Sequence, residues 1–349
     1  MEVRLGQRGR SANDFLVSLA SLAGTKKDRV KQDFSAANLN DETLADDFPS
    51  QNAQVLNAMR DSRAFQFNAL VNEWLSTNHG LVAIDAFEEI RSTAEPLLEQ
   101  MGIGDASLEL NEDCPTPDYW LAYDIHRTTG GWDGHEHMGF IHRQIIHKHY
   151  VAAKYPWGIM KQRRQVLEEL PADRSYQRIF EMGCGTGSYT AALSETFPDS
   201  EITACDLSAT LLMEAKRYAN ENSWKWRLLQ LPAENTGLAS ESFDLVTSYV
   251  LLHEMPVDAI AEAFSESFRL LKPGGVMLMV DARRLSDMNK LDQWATLHRA
   301  NYGGEPFWAE SAALDLGKLA EEVGYTKVKS YGLGESAYPW VTIGEKPDS

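Results

Sequence analysis

The 349-residue sequence predicts an α/β fold, a mostly parallel sheet with helices on both faces, preceded by an all-helical N-terminal unit. Three observations predict it. From residue 176 onward, short apolar runs alternate with helical stretches, the rhythm of strands joined by crossover helices. From about residue 11 to 103, apolar residues recur instead at three and four positions, the period of a helix with one buried face. Between them, "NEDCPTPDYW" (111–120) combines two prolines with Asn and Asp, which breaks a helix and marks a boundary. The expected division is 1–115, a helical cap or oligomerisation domain; 116–175, a linker with a pocket-covering helical segment; and 176–349, a ligand-binding α/β domain.

In the N-terminal unit the helical segments are "NDFLVSLASLAG", "FQFNALVNEWL" and "GLVAIDAFEEIRSTAEPLLEQMG". In the second, Phe67, Leu70, Val71 and Trp74 form one apolar stripe. Acidic stretches such as "NDETLADDF" read as a solvated face. "KQRRQVLEEL" predicts one more helix before the α/β unit. There the strands are "QRIFEMG", "EITACDLS", "WRLLQL", "FDLVTSYVLL" and "GVMLMVDA", and the helices between them are "TAALSETF", "ATLLMEAKRYANEN" and "VDAIAEAFSESFRLL".

Composition narrows the function. A formal net charge of −18 repels polyphosphate, so nucleic acid is not an expected partner. The N-terminus carries no apolar leader, and no run approaches the roughly 18 apolar residues of a membrane span. Three cysteines without CxxC spacing imply neither a disulfide framework nor a zinc ribbon, and a reducing cytoplasm is the expected location.

The first α/β strand ends in "EMGCGTG" and runs directly into a helix. Its closely spaced glycines let the backbone turn tightly and let a ligand approach the main chain. A dinucleotide fingerprint starting at Gly183 would need glycine at 188, where this chain has Ser188, so NAD is disfavoured. The second strand ends in Asp206, 19 residues after Gly187, where a carboxylate accepts hydrogen bonds from ribose hydroxyls. A glycine loop with a ribose acid points to an adenosine-containing ligand that need not carry phosphate.

These residues, with "ACDLSATLL", "LPAENTGLASESFDLVTSYVLLHEM" and "ESFRLLKPGG" following in order, resemble the class I S-adenosylmethionine-dependent methyltransferases, and within them the ubiquinone/menaquinone-biosynthesis type. The resemblance covers residues 176 to about 281. It implies a Rossmann-like, seven-stranded sheet whose last hairpin, "YTKVKSYG" and "PWVTIGEK" after the helix "LDLGKLAEEVG", reverses one strand. It implies S-adenosyl-L-methionine as cofactor, with Glu181, Gly183, Cys184, Gly185 and Gly187 around the methionine end. Asp206 and Leu207 would take the ribose and adenine, Ala233 and Glu234 would lie by the adenine, and Tyr249 and Val250 beside the methionine. The family often has Asp just before "AE"; here that position is Pro232, so adenine recognition would rest on backbone groups or Glu234. Cys184 reads as a small buried hydrophobe rather than a nucleophile.

Methyl transfer is an in-line displacement, so the expected mechanism is chiefly positioning of the acceptor and exclusion of water. His253, in "VLLHEMP" after the fourth strand, is the candidate general base or positioning residue. Glu254 beside it is expected to face solvent. Two additions flank the site: residues 116–160, and the stretch 283–310 after the fifth strand. In the second, Trp294, His298, Tyr302, Phe307 and Trp308 form a candidate aromatic lid or interhelical packing.

The first addition holds "HEHMGFIHRQIIHKHY" (135–150), which with His126 contains six of the nine histidines. As a metal site its spacing is poor: no H-E-x-x-H occurs, and Gly139 stands where the distal His belongs. On an α-helix at about 100° per residue, His142 and His149 share a face. By the resemblance this segment covers the cofactor, so His142 and His149 are further catalytic candidates, Tyr150 a cofactor contact and Trp132 a substrate contact. "TTGGWDGHEH" ahead of it reads as a gate.

The sequence thus predicts a cytoplasmic methyltransferase for a small, aromatic or lipophilic acceptor at oxygen, nitrogen or carbon. It expects no resident metal and a homodimer through the N-terminal helices. Two alternatives stand beside it: a non-catalytic cofactor-binding or assembly protein, and a metal-assisted enzyme using the histidines of 126–149.

Overall fold

A computed structural model describes residues 4–111, 113–128, 130–152 and 158–348. The part of the 116–160 addition at 153–157, and Thr129 of the expected gate, lie outside the described residues.

The α/β rhythm becomes one sheet. Its strands are β1 (Ser107–Glu109), β2 (Arg178–Met182), β3 (Glu201–Asp206), β4 (Arg227–Gln230), β5 (Phe243–Tyr249), β6 (Leu271–Asp281), β7 (Thr326–Gly332) and β8 (Trp340–Glu345). The spatial order is β1-β4-β3-β2-β5-β6-β8-β7. All pairs up to β6 are parallel, and β8 runs antiparallel to both β6 and β7. The expected terminal hairpin is present. The seven expected strands gain an eighth, because Ser107–Glu109 pairs with Arg227–Leu229 and covers the backbone edge of β4 that would otherwise stand open.

Period two explains the two faces. Ile179, Ala204, Leu228, Leu245 and Leu278 enter one core cluster, and their neighbours Phe180, Cys205, Leu229, Val246 and Met279 enter the other. Both faces are therefore apolar, as a parallel sheet requires. The helices Ser188–Thr196, Ala209–Glu221 and Val257–Leu270 fall where the spacing predicts.

In the N-terminal part, two expected helical segments fuse into Arg63–Glu88, and the chain restarts at Arg91–Met101. With Gln7–Gly24 they bury a core of Leu16, Val71, Leu75, Phe87 and Leu98. This core also takes in Met138, Phe140, Ile141, Ile145, Ile146 and Tyr150 from the histidine-rich segment. The single stripe expected on the second helix divides: Val71 is buried, while Leu70 and Trp74 are exposed.

The histidine-rich segment is a turn of α-helix, Met138–Phe140, running into a π-helix, Ile141–Val151. A π-helix bonds i to i+5, so residues five apart stack above one another. His142 therefore meets His147, ring centroids 4.3 Å apart, rather than His149. The segment docks on the sheet unit through Gly139, where a Cβ would lie 2.0 Å from the carbonyl oxygen of Thr210.

Candidate active site

The sheet order reverses between β2 and β5, and ligands of open α/β sheets bind in the crevice at such a point, beyond the strand carboxyl ends. Gly183, Gly185 and Gly187 all have positive φ (65°, 53° and 83°). A Cβ at Gly183 would strike Leu251 and one at Gly187 would strike Trp226, whereas at Gly185 it would meet nothing within 4 Å. Two of the glycines thus serve packing, and Gly185 opens space above the loop.

Asp206 ties the loop to β3. Its carboxylate accepts from the Gly185 N–H at 2.8 Å and from the Ser208 N–H at 2.9 Å. Burial pushes Asp206 up to about 6, against the pull of those N–H groups. Each carboxylate oxygen retains a lone pair for a ligand hydroxyl. Cys184 is buried beside it with its thiol pushed well up by burial, so it is an inert packing group here.

Glu181, on β2, is fully buried, and its Oε2 has no hydrogen-bond partner. Burial pushes it up to about 8 despite Thr190 and Arg163 nearby. Arg163, from the helix Ile159–Gln165, is buried with Nε unpartnered, and its guanidinium lies 4.7 Å from the Tyr249 ring centre. A buried acid and a buried cation, each with an unused polar atom, match the ammonium and carboxylate of an amino-acid moiety. Val250 follows Tyr249 at φ 55°, a strained conformation for a β-branched residue.

On the other side of Asp206, Leu207 accepts from Gln230 Nε2 at 3.0 Å. Ala233 is buried, and Glu234 accepts from the Tyr119 hydroxyl at 2.9 Å while its Oε2 is unpartnered. Tyr119, on the helix Asp118–Leu121, thereby closes over this side of the site. Trp132 and Asp133 pack beside Asp206: Ser208 Oγ donates to Asp133 Oδ1 at 2.6 Å and Thr210 Oγ1 to the Trp132 carbonyl at 3.1 Å. The expected gate is thus docked on the helix that starts after Asp206.

Beyond β5 and β6 lies a buried chain of acids and imidazoles. Asp281 accepts from the Leu252 N–H at 2.8 Å and pairs with His253 Nδ1 at 2.9 Å. His253 Nε2 faces Glu254 Oε1 at 3.4 Å, and the same oxygen lies 3.0 Å from His126 Nε2. His126 Nδ1 meets Glu305 Oε1 at 2.8 Å. Glu254 is buried, not solvent-facing, because the turn Leu252–Glu254 directs it inward at His126. Burial alone would lower His253, but Asp281 and Glu254 outweigh it and hold the imidazole well above its ordinary value. In that state it donates a proton rather than accepting one. His142 is the opposite case: burial, with His147 and His126 close by, holds it well below 6.5, and its Nδ1 is unpartnered. Burial and Arg163 lower His147 to about 3.

The remaining sequence-predicted residues separate. Trp308 joins this wall, its ring 5.3 Å from His253 and its Nε1 unpartnered, and Trp132 lies edge-on to both His126 and His142. His298 bonds Asn52 and stacks beside Trp294 and Tyr302, and Trp294 is buried against Val55 and Met59 of the N-terminal helices. Tyr302 is exposed. Tyr150 stacks on His79 inside the helical core, and burial, with the charge of Lys148, lowers His149 below its ordinary value. Of the expected lid, the structure brings Trp308 alone to the acid–imidazole chain.

Residues 179–275 match the family model described as "Methyltransferase domain". This segment is a class I methyltransferase domain. The chain is 36% identical over 114 residues to malonyl-acyl-carrier-protein O-methyltransferase of Enterobacter lignolyticus, covering 32% of this chain and 41% of that one. It is 26% identical to a ubiquinone/menaquinone biosynthesis C-methyltransferase of Cereibacter sphaeroides, covering 46% of this chain and 65% of that one. The chain thus spans less than two thirds of the length of either relative. A solved structure of Haemonchus contortus phosphoethanolamine N-methyltransferase 2 with S-adenosyl-L-methionine aligns at a TM-score of 0.46 and 14% identity, over 63% of this chain and 61% of that one.

Arg163, Asp281 and Glu305 were not legible as site residues. Arg163 and Glu305 lie outside the matched segment 179–275 in stretches that resemble ordinary surface, and Asp281 ends a strand whose apolar run gives no sign of a partner. A usable signal was the acid closing β6, since carboxyl ends of parallel strands face the crevice.

Proposed function

We propose that the chain transfers a methyl group from S-adenosylmethionine to a small acceptor held between the methyltransferase domain and the histidine-rich segment. The observation that carries this is the glycine loop tied to Asp206 at the sheet's switch point, with Glu181 and Arg163 unsatisfied beside it. Asp206 takes the ribose hydroxyls; Glu181 and Arg163 take the ammonium and carboxylate of the methionine end; Leu207, Ala233 and Glu234 line the adenine slot. Gly183, Cys184, Gly185 and Gly187 give the backbone cradle, and Tyr249 and Val250 flank the sulfonium.

Positioning supplies most of the rate, since the displacement needs only alignment and a dry site. Trp132, His142 and Trp308 form the acceptor side. His142, uncharged and with Nδ1 free, is the imidazole in a state to accept an acceptor's proton. His253, between Asp281 and Glu254, orients and donates.

Among the described residues no helix is long and apolar enough to cross a membrane. With the acidic composition this supports a cytoplasmic enzyme acting on a metabolite rather than on nucleic acid. Phe15 and Leu22 on one N-terminal helix, and Leu70, Trp74 and Leu81 on its neighbour, are exposed large apolar side chains, which supports a homodimer through these helices.

Calorimetry with S-adenosylmethionine and with its demethylated product tests the reading. Binding of both at about one per chain is expected; absence of binding to either overturns it.

A further inference from the structure

His126, Glu254 and Glu305 come from three separate segments, and their donor atoms lie within 4.8 Å of one another. Their convergence is built. His126 sits at φ 55°, a left-handed conformation uncommon outside glycine, and its N–H is held by the Gly304 carbonyl at 2.9 Å. Glu254 closes the turn after β5, and Glu305 follows the helix Lys290–Tyr302. Both glutamates are at least nine-tenths buried, and each leaves Oε2 without a partner among the described residues. The Oε1 atoms bond the His126 ring, and the two Oε2 atoms, buried carboxylate oxygens without a partner among the described residues, are costly and require an explanation.

We propose that His126, Glu254 and Glu305 form a binding site for a divalent metal ion. Each residue offers one donor: an imidazole nitrogen of His126 and a carboxylate oxygen of each glutamate. A nitrogen with carboxylate oxygens suits Mn²⁺, Fe²⁺ or Zn²⁺; it lacks the sulfur that selects Cu⁺ and the many oxygens Ca²⁺ requires. The surface group Glu95, Glu136 and His137 also brings donors together, but Arg91 already bonds both glutamates there and supplies the positive charge.

Three protein donors leave coordination positions open, beside His253 and Trp308 on the acceptor side of the crevice. An acceptor oxygen, as a hydroxyl, enol or carboxylate, would fill one, and the ion would lower that oxygen's proton affinity. This last step rests on the methyl-transfer reading; the metal site does not.

The test uses the full chain without a histidine tag, stripped with a chelator, then incubated separately with Mn²⁺, Fe²⁺ under anaerobic conditions, and Zn²⁺. After desalting, elemental analysis should find about one ion per chain with at least one of the three. E305Q and H126Q should each lower retention at least about tenfold, while circular dichroism and S-adenosylmethionine affinity stay as in the wild type. No retained ion with any of the three overturns the site, and so does unchanged retention in a folded E305Q. Loss of cofactor binding with metal retained would instead overturn the methyl-transfer reading.

Discussion

The two walls of the crevice are built in different ways. The proposed cofactor side takes most of its residues from a 70-residue run: Glu181 to Val250, with strand ends and turns spaced regularly along it. The proposed acceptor side takes His126, Trp132 and His142 from before β2, His253 and Glu254 from after β5, Asp281 from the end of β6, and Glu305 and Trp308 from after it. The first wall is a sequence motif, and the second exists only once the helical segments dock. The cofactor side should therefore respond to changes in its own loop, and the acceptor side to changes in docking.

The largest expected effect is at Asp206. Asp206→Ala removes the ribose acid and the tie to Gly185, and calorimetry should show at least about a hundredfold loss of cofactor affinity. Unchanged affinity would remove Asp206 from the cofactor wall and with it the contrast.

Next is Gly139→Ala, which puts a methyl group against the Thr210 carbonyl. The docked segment must shift, at a cost of about 1–3 kcal/mol in stability. Turnover of an acceptor should fall by at least about tenfold while cofactor affinity holds within about twofold. Equal loss of both would mean that the walls are not separable.

A pH series sharpens the cofactor side. Glu181, held up to about 8, is largely protonated at pH 6, faced by Arg163 from its helix, Thr190 from the helix after the loop and the charge of Asp206 from β3. Its folded value lies above the unfolded one, so its stabilising share is complete below about 4.5 and is lost as pH rises through about 8. Ionisation creates the partner for the cofactor's ammonium, so affinity should tighten by up to about tenfold per pH unit from 6 to 8. Glu181→Gln should flatten that trend and gain thermal stability relative to wild type at pH 8. A flat wild-type profile would detach Glu181 from the ammonium.

The smallest effect concerns the helical part alone. Leu70→Glu should convert the proposed homodimer to monomer in sedimentation, with melting temperature changed by little, since Leu70 is exposed within one chain. A monomeric wild type would remove the dimer.

What was legible follows the same division. The parallel sheet, its closing hairpin, the glycine loop and Asp206 were legible because each rests on spacing within one or two elements. The pairing of His142 with His147 was not, because placing His142 on one face with His149 assumed 100° per residue; the π-helix instead stacks residues five apart. Glu254 looked like a surface acid, and only the inward turn after β5 shows it buried against His126. Trp294 and Trp308 looked alike in one aromatic stretch, yet one packs on the N-terminal helices and the other on His253.

The sequence by itself determined the sheet and the glycine loop, since period-two burial and positive-φ glycines are local requirements that few other residues meet. Only the tertiary structure decided which histidines and acids face one another. Those contacts join residues up to 179 positions apart in the chain, and a polar side chain carries no mark of which distant partner will bury it.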